Sequence, residues 1–170
     1  MKRPVLHIIL IAAMGLAFNI AKSQSLIAER AGDNTYSLSA ASIQFDPNDH
    51  LAVQTAAKLL QEDIFRITGQ RPELNPSLSN GPLIIIGSAD RSGIIKKLVA
   101  GKKINLTAIN NRWEAFQLTS AKDPTGKRPS LVITGSDARG TAFGVFELSK
   151  QAGVSPWYWW ADVPVKTRKE

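Results

Sequence analysis

Two stretches of this chain follow one pattern. Leu83-Ile84-Ile85-Ile86-Gly87-Ser88-Ala89-Asp90-Arg91 and Leu131-Val132-Ile133-Thr134-Gly135-Ser136-Asp137-Ala138-Arg139 each begin as an apolar or nearly apolar run. Each then passes through Gly-Ser to an acidic residue, an arginine and a helix. A strand with one wet face alternates polar and apolar side chains. These two do not alternate. Continuous apolar strands belong to the middle of a sheet with helices over at least one face. The chain is therefore expected to build a sheet around this pair of strands.

The other elements arrange themselves about that pair. Thr35-Tyr36-Ser37-Leu38 and Ser42-Ile43-Gln44-Phe45 alternate with period two, as half-buried strands do. Asp46-Pro47-Asn48-Asp49 breaks the second and offers capping side chains to a helix. In that helix Val53, Ala56, Ala57, Leu60, Ile64 and Ile67 recur at helical spacing, and Gly69 stops it. Residues 70–82 are rich in Pro and Gly and predict a loop. Ala115 to Thr119 and Ser130 to Thr134 predict an antiparallel hairpin about the turn at Lys122–Lys127. The last helix runs from about Arg139 to Gln151, with Ala142, Val145, Phe146 and Ser149 on one stripe and Gly153 at its end. The order, roughly β-β-α-β-α-β-β-α, predicts an α+β fold: a two-layer α/β sandwich, a mixed sheet with helices packed on it. The hairpin makes a doubly wound parallel sheet the poorer fit.

The first residues have a different character. Lys2 and Arg3 precede the apolar run Val5 to Ile20, and Ala21-Lys22-Ser23 supplies small residues where a signal peptidase cuts. Residues 1–25 are expected to be a signal peptide, with cleavage near Gln24. Residues 26–154 are then the sandwich domain. Removing 1–25 takes the basic count from 21 to 18 against 14 acids, so the formal charge falls from +7 to +4. That balance predicts no nucleic-acid partner and no membrane association after cleavage. There is no cysteine, which excludes lipoprotein anchoring and disulfides. The expected location is periplasmic or secreted.

Chemistry-bearing motifs are sparse. Gly135-Ser136-Asp137-Ala138-Arg139-Gly140-Thr141-Ala142-Phe143-Gly144 follows a strand and opens a helix, where anions bind. Its glycine spacing matches neither the dinucleotide fingerprint nor the P-loop. Helix capping by Ser136 or Asp137, and close packing at Gly140 and Gly144, account for the same residues. His50 is the single histidine after residue 25 and has no spaced partner, so neither a metal site nor a nucleophilic triad is predicted. No cofactor is expected. Asp46, Asp90, Asp123 and Asp137 fall in turn or capping contexts. Asp162 is set among aromatics, but no second carboxylate accompanies it as glycoside hydrolysis requires.

Ser155-Pro156-Trp157-Tyr158-Trp159-Trp160-Ala161-Asp162-Val163-Pro164 concentrates three of the four Trp and one of the two Tyr. Such side chains need a packed partner. Residues 155–170 are expected to be an aromatic junction leading into a further, catalytic domain. Extended geometry would put Trp157 and Trp159 on one side, Tyr158 and Trp160 on the other. The alternative is a carbohydrate-binding module with Trp157, Trp159 and Trp160 as its platform. Trp157, Trp159, Trp160 and Asp162 are thus the candidate substrate-binding residues, with domain packing the preferred role.

The segment Gly135 to Gly144, followed by Gly153-Val154-Ser155-Pro156-Trp157-Tyr158-Trp159-Trp160-Ala161-Asp162-Val163-Pro164, resembles the N-terminal region of glycoside hydrolase family 115, the exported xylan α-glucuronidases. The resemblance covers residues 35–165 in element order. It implies an accessory α/β domain placed before a TIM-barrel catalytic domain. It implies an enzyme that removes (4-O-methyl)-glucuronic acid from xylan by an inverting mechanism, with xylan oligosaccharides as ligands. The family's catalytic acids lie in the barrel, so no catalytic residue is carried onto this chain, and the chain alone is expected to be inactive.

Overall fold

The computed structural model describes residues 37–77, 81–155, 158–161 and 163–165. Their elements are β1 (Ser42–Phe45), α1 (Leu51–Thr68), β2 (Leu83–Ser88), α2 (Gly93–Ala100), β3 (Phe116–Lys122), β4 (Pro129–Gly135), α3 (Ala138–Ala152) and the short α4 (Tyr158–Ala161). The strands form one four-stranded sheet in the order β1-β2-β4-β3. β1 and β4 both run parallel to β2, with Phe45 opposite Ile86 and Ile133 opposite Ile86 on its other side. β3 returns antiparallel to β4, pairing Leu118 with Ile133. This is the mixed α+β sheet that the apolar strands and the hairpin predict.

Every residue of β2 is buried, because both faces of the sheet are covered. Ile84 and Ile86 join Ile43, Phe45 and Ile133 beneath α1 and α3, against Val53, Leu60, Ile64, Val145 and Leu148. Leu83, Ile85 and Val132 point the other way and meet Ile95 and Leu98 of α2, with Ile104 beside them. The helix pair α1 and α3 forms the main layer, and α2 adds a smaller layer on the opposite face. Alternating residues of an apolar strand reach opposite faces. Four consecutive apolar side chains are therefore what two covered faces require.

The loop after α1 protects an edge. Ile43 N–H donates to Glu73 O at 2.9 Å, and Asn75 N–H donates to Ile43 O at 2.8 Å. The Asn75 side chain accepts from Phe45 N–H at 2.8 Å. Residues 73–75 thus occupy hydrogen-bonding groups that β1 would otherwise expose at the sheet edge.

Three local expectations change. Thr35 and Tyr36 lie outside the described residues, but Ser37 and Leu38 form no strand. Ala41 N–H donates to Leu38 O at 3.3 Å in a turn, and Leu38 bends inward to pack near Ile67 and Val154. Phe146 is not on the buried stripe of α3. It is 45% exposed, while Gly140, Thr141, Gly144, Val145, Leu148, Ser149 and Ala152 are buried. The acids after β1 do not cap α1, whose N-cap His50 makes no side-chain capping bond. Asp46 instead accepts from Gly93 N–H at 2.7 Å, at the start of α2. Gly69 (φ 75°) and Gly153 (φ 119°) end α1 and α3 in the left-handed conformation, as expected.

Candidate functional site

The candidate residues of the aromatic segment divide. Trp157 and Asp162 lie outside the described residues, and the side chains of Trp159 and Trp160 do as well. Residues 158–161 form a helical turn, opened by Tyr158 N–H donating to Ser155 O at 2.9 Å. The extended, two-sided arrangement is thereby corrected: helical backbone does not alternate its side chains across a plane. Tyr158 is half-buried against the small cluster of Ile67, Ala152 and Val154, with Leu38 and Val165. The Arg66 guanidinium lies 5.1 Å from its ring centroid. Arg66 also pairs with buried Asp63 at 3.0 Å. Burial pushes the Asp63 carboxyl above its ordinary range, against the charge and hydrogen bond of Arg66 that lower it. At least one aromatic of the segment is therefore seated on this domain.

The Gly135–Gly144 turn is filled by the protein itself. Asp137 accepts from Gly140 N–H at 2.8 Å, taking the place an anion would take at the start of α3. Its other oxygen accepts from Glu114 N–H at 2.8 Å. Burial would raise Asp137, but the backbone donors Gly140, Glu114 and Arg139 outweigh it and hold the carboxyl below its usual range. A Cβ at Gly140 would stand 2.3 Å from Ala115 O, and one at Gly144 2.8 Å from the Ile133 side chain. Close packing is what these glycines provide.

The remaining acids serve structure. Asp49 is buried and accepts from Ser88 N–H at 2.9 Å and Ser88 Oγ–H at 2.7 Å. Asp90 pairs with His50 Nε2 at 2.9 Å. Asp123, fully buried in the β3–β4 turn, accepts from Lys127 N–H at 2.9 Å and Arg128 N–H at 3.1 Å, with Thr125 and the Arg128 side chain also bonded. Glu62 is paired with Arg71 on the surface. Among the described residues no group of three or more His, Cys, Asp or Glu side chains could hold a metal ion. Also among them, no helix is long and apolar enough to cross a membrane.

A site that the sequence reasoning passed over lies just before β3. Trp113 is 82% exposed. Arg139 of α3 lies 5.9 Å from its ring centroid and 5.9 Å from that of Phe143. Arg139 Nη1 is 2.9 Å from Glu114 Oε1. Glu114 itself holds φ 51°, and Asn111 φ 57°; the first is an uncommon conformation for a side chain that is neither Gly nor Asn. The available signal was an isolated tryptophan in the polar run Asn110-Asn111-Arg112-Trp113-Glu114, where no apolar periodicity draws it inward.

No protein-family model and no curated protein matches this chain. Among solved structures, the chain is similar to a family GH115 4-O-methyl-α-glucuronidase, BtGH115A, that has specificity for decorated arabinogalactans. The identity is 34% and the TM-score 0.58, over 76% of this chain and 15% of that one. The chain thus resembles a region of a glycoside hydrolase and spans a small part of its length. A second solved structure, CpGH84D, aligns at 16% identity and a TM-score of 0.48, over 69% of this chain and 18% of that one.

Proposed function

We propose that residues 37–165 act as a non-catalytic accessory domain of an exported glycoside hydrolase that removes 4-O-methyl-glucuronic acid from polysaccharide side chains. The observation that carries this is the 34% identity, over 76% of the chain, to a region of a 4-O-methyl-α-glucuronidase. The chemistry of the described acids supports the non-catalytic role. An inverting glycosidase needs two carboxyl groups about 6.5–9.5 Å apart across a sugar cleft. Asp49, Asp123 and Asp137 are instead consumed by backbone N–H groups. The polysaccharide is one that bears glucuronic acid, either the glucuronoxylan that the family resemblance implies or the decorated arabinogalactan of the similar enzyme.

Two experiments test this. The purified chain, incubated with aldouronic oligosaccharides and with arabinogalactan, is expected to release no glucuronic acid; release by either substrate overturns the non-catalytic role. A chimera in which residues 37–165 replace the corresponding region of the similar glucuronidase is expected to stay folded and active. Loss of its fold would count against the assignment. Export is checked separately, by the N-terminal residue of the mature protein, expected near Gln24.

A further inference from the structure

An exposed aromatic with polar neighbours also lies outside the Trp157–Trp160 run. We propose that Trp113, with Arg139 and Glu114, forms a glycan-binding site for a neutral, galactose-type sugar residue. This rests on the glycan-degrading assignment for its choice of ligand and on the geometry for its location.

The indole stands in solvent on a backbone that is held in place beside it. Exposed tryptophan is a large apolar surface, and at 82% exposure at least one ring face is open to solvent. The chain on its C-terminal side is clamped. Glu114 N–H donates to Asp137 Oδ2 at 2.8 Å and Ala115 N–H to Ser136 Oγ at 3.1 Å. Ser136 N–H returns a bond to Ala115 O at 2.8 Å. These bonds hold Glu114 at φ 51°, a conformation that persists only where its surroundings enforce it. With the backbone beside the indole already ordered, stacking a ligand has only the side chain left to immobilise.

The polar neighbours select the ligand class. Arg139 lies beside the indole and beside Phe143 at 5.9 Å each, so its guanidinium borders the stacking surface. Glu114 Oε1 sits 2.9 Å from Arg139 Nη1, yet has no aligned hydrogen bond. The carboxylate therefore neutralises the guanidinium while leaving its N–H groups to bond elsewhere. A charge-balanced donor beside an apolar face suits a neutral sugar. A galactopyranose has an axial hydroxyl that gathers its C–H bonds on one ring face, which stacks on the indole, while ring hydroxyls accept from Arg139. A uronate gains less from Arg139, because Glu114 already balances that charge.

Calorimetric titration of the full chain with β-1,3-galactotriose tests the site, with xylotriose and glucuronic acid as comparison ligands. Binding is expected in the millimolar range, about 1–10 mM for a single stacked sugar. Trp113→Ala should weaken it at least about tenfold and Arg139→Ala about threefold, while Trp113→Tyr retains most of it. Trp113 makes no part of the core, and circular dichroism confirms that the variants fold. Equal affinity in Trp113→Ala, or no heat up to about 50 mM galactotriose, overturns the proposal. Tighter binding of glucuronic acid overturns the ligand class. A change of oligomeric state in Trp113→Ala, with no sugar binding, identifies a protein interface instead. Release of glucuronic acid by the chain would overturn the accessory role without touching this result, so the two failures are distinguishable.

Discussion

The turns after β2 and β4 start from one local pattern and reach different solutions. The strands are parallel neighbours, with Ser88 opposite Gly135. In the first turn the acid of the pattern, Asp90, does not cap the helix. It lies at the surface with His50. Ser92 caps α2 by accepting from Ile95 N–H at 3.4 Å, and Asp46 accepts from Gly93 N–H at 2.7 Å. Asp49 reaches in to hold Ser88. In the second turn, Asp137 caps α3 and ties down Glu114 by itself. The neighbouring strand explains the difference. β1 leaves the sheet through a loop carrying two acids, which supply the first turn from outside and release its own acid. The segment entering β3 brings N–H groups instead, so the second turn must keep its acid. Role here is assigned by which partner arrives, not by the motif.

The glycines give the hardest test of that contrast. A Cβ at Gly135 would lie 2.0 Å from Thr141 N and 2.5 Å from Gly140 C, both backbone atoms of α3. A Cβ at Gly87 would lie 2.5 Å from Ser92 Oγ and 2.7 Å from Ile95 Cγ1, side-chain atoms of the cap and first turn of the shorter α2. Rotation of side chains and a shift of α2 can relieve part of the second clash. Gly135→Ala is expected to destabilise by about 4 kcal/mol or to prevent folding, and Gly87→Ala by about 2 kcal/mol. Urea denaturation followed by circular dichroism measures both. Equal losses would mean that α3 is no more tightly seated on the sheet than α2.

The carboxylates come next in size. Asp49→Ala strands Ser88 N–H and its hydroxyl in a buried place and should cost about 3 kcal/mol. Asp137→Ala removes a cap and the Glu114 bond at a half-buried place and should cost about 1–2 kcal/mol. The reverse order would show that the first turn draws little from its external acid.

The apolar strands, the hairpin, α1 with its buried face and both C-terminal glycine caps were legible because each is a local pattern. The destinations of Asp46 and Asp49 were not. Their partners, Gly93 and Ser88, are 47 and 39 residues away, and no local pattern encodes that distance. Phe146 was misplaced on the buried stripe because Gly140 and Gly144 sit there, and glycine carries no hydrophobic signal. The site at Trp113 was missed for a related reason: Arg139 and Glu114 meet beside it only after α3 has packed against the start of β3. The aromatic run drew attention by composition and by its resemblance, and its described ring, Tyr158, is placed against the domain.

Acid separates the two sides of the sheet. Burial would raise Asp123, but the backbone N–H of Arg128, the Thr125 hydroxyl, the backbone N–H of Lys127 and the Arg128 side chain outweigh it and lower the carboxyl to about 2. A carboxyl depressed on folding stabilises above its unfolded value near 3.9, and that contribution fades as pH falls toward the folded value. A depression of nearly two units corresponds to about 2–3 kcal/mol. Asp123→Asn should therefore remove about 2–3 kcal/mol at pH 7 and flatten the loss of stability between about pH 5 and 2. An unchanged acid limb would place the sensitivity elsewhere. Asp123 sits in the hairpin that carries β4, so the same substitution should disturb the second turn more than the first, read by amide exchange at Gly140 against Gly93.

The smallest effect bears most directly on the comparison, because Asp90 and Asp137 hold related places in the shared pattern. Burial would raise Asp90, yet the hydrogen bond and charge of His50 leave it below the usual carboxylate range. The sign matches that of Asp137, but the setting does not. Asp90 has a side chain 51% exposed, so water and salt screen most of what its partners supply. Asp90→Ala should cost no more than about 0.5 kcal/mol, and less in 0.5 M salt. The loss should also fade as pH falls below the unfolded carboxyl value near 3.9 and vanish once the folded carboxyl is protonated as well. A loss as large as that of Asp137→Ala would mean that Asp90 does structural work in its turn, and the two turns would then be variants of one solution. A small, salt-sensitive loss means that the first turn has passed its structural work to Asp46 and Asp49 and left Asp90 as a surface charge.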